Sequence, residues 1–451
     1  MKLPPYPKYK PSGVEWLGDV PDKWEVKRLK YSARYWVSNV DKVPAADELP
    51  VRLCNYTDVY YNDHIKPDMD LMETTATADE IKRFGLKVGD VLITKDSEEW
   101  NDIAIPALVV ESAPDLVCGY HLAMIRAKDE VLSGNYLLRT FQSCAVNQQF
   151  QIAASGVTRY GLPKSSIGEA WIPLPPPDEQ RAIADFLEAR TAKIDALLTK
   201  RRALIEKLKE KRTALISRAV TRGLNPNAKL KPSGIEWLGD IPKHWEACRL
   251  GFLVNKIGSG KTPSGGAQNY QSEGVMLIRS QNVYDDGLRL DDVAFIDEET
   301  DEQMAGSRVQ PNDMLLNITG ASLGRCSVVP LDFQKANVNQ HVCIIRPNPV
   351  RVDATFVQLA VTTQFVKAQI FADEAGSSRE GLNFPQVRDL KIPAPPLPEQ
   401  IAIAAYLDHE TAKIDRMVEK VELAIARLQE YRTALITAAV TGKIDVRPLK
   451  R

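Results

Sequence analysis

Between residues 407 and 435 an aliphatic side chain recurs at every seventh position: Leu407, Ile414, Val421, Leu428 and Leu435. Met417, Ala424 and Tyr431 stand three positions on, and Val418 and Ile425 widen the stripe. The same register earlier in the chain reads Leu187, Ile194, Arg201, Leu208 and Leu215, beside Leu197, Leu198, Leu204 and Ile205, with Arg201 as the one interruption. A sustained seven-residue apolar period predicts long helices that pack as a coiled coil, because a globular helix face drifts away from that period. Each stripe follows a proline-rich run, "IPLPPP" from Ile172 and "IPAPPLP" from Ile392, which must be extended. Acidic residues suited to a first helical turn come next, Asp178 and Glu179 in one copy and Glu399 in the other. Gly223 and Gly442 follow the last turns, where a left-handed cap favours glycine. The pattern therefore predicts helices over 178–222 and 399–442, each of roughly 43 residues or about 64 Å.

Elsewhere the pattern is shorter in range. Residues 30–170 and 251–390 carry strand-like runs: "DVLIT" from Asp90, "IAIPALVV" from Ile103, "VMLIR" from Val275 and "DMLLNI" from Asp313. Gly, Asn and Asp punctuate them, and helical stretches such as Ala78–Phe84 and Ala354–Phe371 are few. Both segments read as mixed α/β.

The chain repeats itself. "KPSGVEWLGDVPDKWEVKRL" from Lys10 returns as "KPSGIEWLGDIPKHWEACRL" from Lys231, with fourteen of twenty positions identical. "RTALISRAVTRG" from Arg212 returns as "RTALITAAVTGK" from Arg432. The offset is 221 at the first block and 220 at the later ones, so the intervening segments match in length while sharing little sequence. Weak echoes persist inside them: His121 and Arg126 against His341 and Arg346, and "RYGL" from Arg159 against "REGL" from Arg379. The layout is one fold twice, framed by the same segments, with Trp16, Trp24, Trp237 and Trp245 available to anchor the frame on the helix ends.

Composition narrows the function. At 451 residues, 44% apolar and 26% charged, the chain is an ordinary globular protein of at least two domains. No apolar run reaches the length of a membrane span, "MKLPPYPKYK" lacks a signal-peptide core, and six scattered cysteines form no C-x-x-C pair. A cytoplasmic protein with reduced thiols is expected. With 58 Lys/Arg against 59 Asp/Glu, an indiscriminate polyanion binder is excluded, though positive charge gathered on one face is not. The first helix carries twelve Lys/Arg against five Asp/Glu over 181–222, and the second five against six over 401–442. Such unlike helices favour pairing with each other within one chain.

Catalytic motifs fail on inspection. "GSGKT" from Gly258 has Asn255 where a nucleotide-binding loop needs glycine, and "PSGGAQ" where it needs a helix. It suits a phosphate anion better than ATP. "LPPY" from Leu3 lacks the polar first residue of the motif that holds a target amine in amino-methyltransferases. Pro67-Asp68 with Glu80–Lys82 fits a permissive nuclease pattern on a segment that reads as helical. Cys118 with His121, and His341 with Cys343, give two ligands per segment, short of a structural zinc site.

Two variable segments, each closed by "IPLPPPDEQ" or "IPAPPLPEQ" and followed by a long helix, resemble the specificity subunit of type I restriction-modification enzymes. "PSGVEWLGDVPDKWE", "GSGKTPSGG", "TGASLGR" from Thr319 and "KDSEEWND" from Lys95 are similar to stretches of that family, and the resemblance covers essentially the whole chain. It implies two target recognition domains, one in 1–177 with an N-terminal arm and one in 223–398 with its frame segment. The helices of 178–222 and 399–442 would pair as an antiparallel spacer with pseudo-two-fold symmetry, leaving 443–451 as a tail. Each domain would read one half of a bipartite, asymmetric site in double-stranded DNA, with grooves about 34 Å apart. The resemblance also implies two methyltransferase subunits and up to two restriction/translocase subunits as partners, which would hold S-adenosylmethionine, ATP and Mg²⁺. This chain would be non-catalytic. A specificity subunit of another methyltransferase-nuclease system and a coiled-coil adaptor that binds no DNA are the alternatives.

Base readout needs forked donors and amides on loops. Lys95, Trp100, Asn101, Thr158, Arg159 and Tyr160 are the candidates in the first segment. Lys261, Thr262, Arg279, Asn282, Arg325, Ser378 and Arg379 are those in the second, and Arg379→Ala should relax one half-site only. No metal site is expected.

Overall fold

A computed structural model describes residues 3–263, 266, 270–375 and 381–447. The two stripes form continuous helices, Pro177–Arg222 and Leu397–Val440. They begin one and two residues earlier than the sequence pattern suggests, because proline is accepted in a first turn where its missing N–H has no partner to lose. The chain forms two compact units: 1–202 with 422–451, and 203–421. Each long helix is thus divided between them.

The units repeat one topology. In the first, a five-stranded sheet runs in the order Ala33–Val37, Leu122–Ala127, Val91–Thr94, Pro106–Val109, His64–Ile65. A three-stranded sheet runs Leu116–Cys118, Leu49–Cys54, Met72–Ala76, its first pair parallel and its second antiparallel. In the second unit the larger sheet runs Val254–Ser259, Val342–Pro347, Met314–Asn317, Cys326–Val328. The smaller runs Ala294–Ile296, Val275–Ile278, Ala336–Val338, again with one antiparallel and one parallel pair. The central strands are buried at every position, which explains why they read as apolar runs without alternation.

The echoed arginines hold the sheets together. Arg126 forks onto the buried Asp90, donating from Nε (2.7 Å) and Nη2 (2.6 Å). Arg346 does the same to Asp313 at 2.7 and 2.8 Å. A bidentate guanidinium satisfies a carboxylate that would be costly to bury alone. The expected helix over 354–371 breaks into Ala354–Val361 and Gln364–Ala375. Thr362 Oγ1 donates back to Leu359 O (2.7 Å), competing with the backbone ladder. Ser143 Oγ does likewise to Thr140 O (2.6 Å) between Gly134–Phe141 and Cys144–Ala153.

The frame segments fold alike. Tyr9–Pro11 pairs with Asp19–Pro21, and Leu230–Pro232 with Asp240–Pro242. Glu25–Arg28 then pairs with the proline-rich Trp171–Leu174, and Glu246–Arg249 with Lys391–Ala394. Such two-stranded ribbons tolerate proline because one edge needs no donor. Trp24 and Trp245 are fully buried, whereas Trp16 and Trp237 are 52% and 53% exposed, so only the second tryptophan of each segment is an anchor. An added Cβ at Gly223 would lie 3.1 Å from Trp245, and one at Gly442 would lie 3.2 Å from Trp24. Each anchor therefore seals a helix end.

Within each unit the helices pack through the predicted register. Leu187, Ile194, Leu407, Ile414, Val421 and Leu435 are buried, and Leu208, Leu215 and Leu428 are half-buried. The companion row differs from expectation. Met417 and Tyr431 are exposed, as are Leu197 and Leu204. The row lies four positions on, at Leu198, Ile205, Val418 and Ile425, which the stripe already included, and at Thr191 and Thr411, which it did not. Arg212 and Arg432 continue that row, each tied to an aspartate of the facing helix: Arg212 Nε to Asp415 and Arg432 Nε to Asp195, at 3.1 and 3.0 Å. In the first unit Glu179 lies by Arg447 and Asp195 by Arg432, and in the second Arg212 lies by Asp415 and Gly223 by Glu399, so within each unit the two helix segments run antiparallel.

Candidate nucleic-acid interface

In the first unit the strand Leu49–Cys54 runs into Asn55, whose N–H donates to Asp58 Oδ2 (2.7 Å) and opens the short helix Tyr56–Tyr61. Spacing of four stacks Tyr56 on Tyr60, with centroids 5.5 Å apart, and Tyr61 meets Tyr60 edge-on at 5.0 Å. Tyr60 Oη donates to Asp102 Oδ2 (2.7 Å). That acceptor, helped by burial, pushes the Tyr60 phenol up to about 12.

Asp102 belongs to the loop that leaves Val91–Thr94, and this loop carries Lys95, Trp100 and Asn101. Asp96-Ser97 pairs antiparallel with Tyr160-Gly161, and Leu162 N donates to Lys95 O (2.8 Å). The structure therefore joins the two candidate stretches of this unit at one edge. Trp100 is 52% exposed, Asn101, Thr158 and Arg159 are exposed, and Tyr160 is half-buried. Lys95 Nζ lies 3.6 Å from Asp96, whose carboxylate also meets His121 Nδ1 at 2.8 Å. The tyrosines escaped sequence reasoning. Their signal was Tyr56 and Tyr60 at helical spacing in "YTDVYY".

The second unit builds the corresponding edge with other residues. Val275–Ile278 leads to Arg279, a 3-10 turn Ser280–Asn282, and a tight hairpin of Val283-Tyr284 with Gly287-Leu288. Asn282 is 2% exposed; it accepts from Arg279 N (3.0 Å) and donates to Arg289 O (2.9 Å). Arg279 Nη2 donates to Asp292 O (2.7 Å). The Asn282 amide is thus engaged in holding this loop, whereas Arg279 uses Nη2 for it and its buried Nε has no partner among the described residues. The loop after Met314–Asn317 delivers Arg325, whose guanidinium carbon lies 4.8 Å over the Tyr284 ring, while that of Arg289 lies 3.7 Å over it. Lys261 is exposed, and Thr262 Oγ1 donates to Gln340. Ser378 and Arg379 lie outside the described residues.

The rejected motifs take structural places. Glu80 closes the N-terminus of Ala78–Phe84 by accepting from Thr77 N (3.0 Å). Cys118 and Cys343 are buried, and burial pushes the Cys343 thiol up to about 12. His341 Nδ1 meets Thr319 Oγ1 at 2.6 Å. Among the described residues no three metal-ligating side chains converge, and no helix is long and apolar enough to cross a membrane.

One α/β module built twice, with loops of different chemistry at equivalent edges and paired helices beneath, defines a two-domain recognition protein. The chain belongs to the family of the type I restriction modification DNA specificity domain, whose model matches residues 21–207 and 242–422. A putative type I restriction enzyme MjaX specificity subunit from Methanocaldococcus jannaschii is 24% identical over 452 residues, 96% of each chain. The EcoBI specificity subunit from Escherichia coli is 25% identical over 328 residues, 70% of this chain and 68% of that one. Among solved structures, a chain from work on complex assembly and conformational transition of the type I R-M system matches with a TM-score of 0.70 at 16% identity, covering 94% of this chain and 99% of that one. The HsdS subunit from Thermoanaerobacter tengcongensis matches at 0.51 and 18%, covering 94% and 98%. At these identities the likeness is one of fold.

Proposed function

We propose that this chain selects the DNA target of a type I restriction-modification complex in the cytoplasm, each unit reading one half of a bipartite, asymmetric site. The observation that carries the reading is the doubled module: apart from the extra edge strand His64–Ile65 of the first unit, sheet order and strand sense repeat, while the edge loops change chemistry. A shared scaffold with different reading residues gives two different half-sites. In the first unit Lys95, Trp100, Asn101, Thr158, Arg159 and Tyr160 face the duplex together with Tyr56 and Tyr60. In the second, Lys261, Thr262 and Arg325 do so.

The long helices hold two methyltransferase subunits and up to two restriction/translocase subunits. S-adenosylmethionine, ATP and Mg²⁺ belong to those partners, and this chain performs no chemistry itself. Methylome sequencing of cells with and without the gene tests the reading. A bipartite, non-palindromic adenine-methylation motif that disappears with the gene is expected; an unchanged methylome refutes it.

A further inference from the structure

The two reading edges differ in hydrogen-bond polarity. At the first, Asp102 is a carboxylate acceptor held beside stacked tyrosines. At the second, two guanidiniums lie over one tyrosine ring. Their charges are balanced differently. Arg289 has Asp286 at 3.4 Å. Arg325 has no carboxylate within ion-pair range and no acceptor for its side-chain donors among the described residues. The other hairpin carboxylate, Asp285, is already committed: it accepts from Cys326 N (2.9 Å) and from Lys367 Nζ (2.5 Å).

From this we infer that Arg325 is the guanine-reading residue of the second half-site. The inference rests on the DNA-recognition reading above. A guanidinium laid on an aromatic face keeps its plane fixed, with its N–H groups directed outward in that plane. Such a fork matches the O6 and N7 acceptors that guanine alone offers side by side in the major groove. Preorganisation also lowers the side-chain entropy lost on contact. A guanidinium fork can also grip a phosphate, but the exposed Lys261 of the same unit offers a point charge for that purpose and leaves the Arg325 fork for a base edge. Arg289, paired with Asp286, supports the stack as a positioning residue.

The test uses the full chain with its methyltransferase subunits and a library of duplexes with a randomised central segment. The wild-type complex should select a motif with a guanine in one half-site. In Arg325→Ala, preference at that single position should fall by roughly 5- to 150-fold, the discrimination of one bidentate pair, while the other half-site is selected as before. Arg325→Lys should retain part of the preference, and Tyr284→Leu should reduce it by freeing the guanidinium. Intact selection of the other half-site shows that each variant is folded. If Arg325→Ala weakens all sequences equally and flattens the salt dependence, Arg325 contacts phosphate and the inference is overturned. An unchanged motif overturns it too. If the wild-type complex selects no motif at all, the DNA-recognition reading itself has failed.

Discussion

Replacing Gly442 with alanine should cost the first unit more than the same change at Gly223 costs the second, although the two glycines occupy equivalent helix ends. Both have left-handed backbones, φ +71° and +72°. Forcing an alanine into that conformation costs about 1–2 kcal/mol in each case. The surroundings then separate them. At Gly223 the new methyl would lie 3.1 Å from both Glu399 Oε1 and Trp245 Cζ2, contacts that a small shift relieves. At Gly442 it would overlap the Pro21 ring, which belongs to the ribbon Asp19–Pro21 and cannot rotate away. Overpacking of this kind adds about 1–3 kcal/mol. The totals are about 1–2 kcal/mol for Gly223→Ala and about 2–5 kcal/mol for Gly442→Ala. Native-state hydrogen exchange in low urea reads each unit separately and supplies both values. The selected DNA motif should be unchanged, since neither glycine is near a reading edge. Equal costs at the two sites, or a cost below about 1 kcal/mol at Gly442, would refute the reasoning.

The anchoring tryptophans offer a second internal comparison. Trp245 Nε1 donates to Glu399 Oε2 (2.9 Å), whereas Trp24 Nε1 has no partner. Trp245→Phe should therefore destabilise by about 1.5–3 kcal/mol more than Trp24→Phe in urea unfolding, the worth of a hydrogen bond to a charged group. Asp301 supplies a pH-dependent prediction. Its burial alone would raise the carboxyl, but hydrogen bonds from Arg308, Lys335 and Asn337 hold it down at about 2. A folded value below the unfolded 3.8 means stability that is present above pH 3.8 and lost as pH falls towards 2. The stability gap between wild type and Asp301→Asn should narrow across that window in denaturant titrations; a gap that widens there would contradict the ion-pair account.

The helices were legible because Leu, Ile and Val at every seventh position report burial directly. Their second row was legible in part. Leu198, Ile205, Val418 and Ile425 lie on it as the apolar stripe implies, but Thr191, Thr411, Arg212 and Arg432 take seam positions that an apolar count passes over, and Met417 and Tyr431 are exposed. The frame read correctly as a helix-end seal, yet identical spelling in both copies gave no means of separating the buried Trp24 from the exposed Trp16. Among the candidate site residues, Arg159 and Arg325 were chosen as loop residues with forked donors. Asn282 looked equally suitable, but an amide that can bond a base edge can also bond its own loop, and only the fold distinguishes these uses. Tyr56 and Tyr60 were overlooked because their significance lies in a stack that the short helix creates.

The division of the long helices between units has a genetic consequence. Residues 422–447, encoded more than 200 codons downstream of residue 202, complete the unit that contains residues 3–202, while the first helix gives its second half to the other unit. A lesion at Gly442 or Arg432, encoded downstream of the whole second unit, is therefore felt in the unit that precedes it in the chain. Variation confined to the loops carries no such cross-effect. Selection can revise the message that either half reads while the interlaced frame, where errors travel from one half to the other, is held fixed.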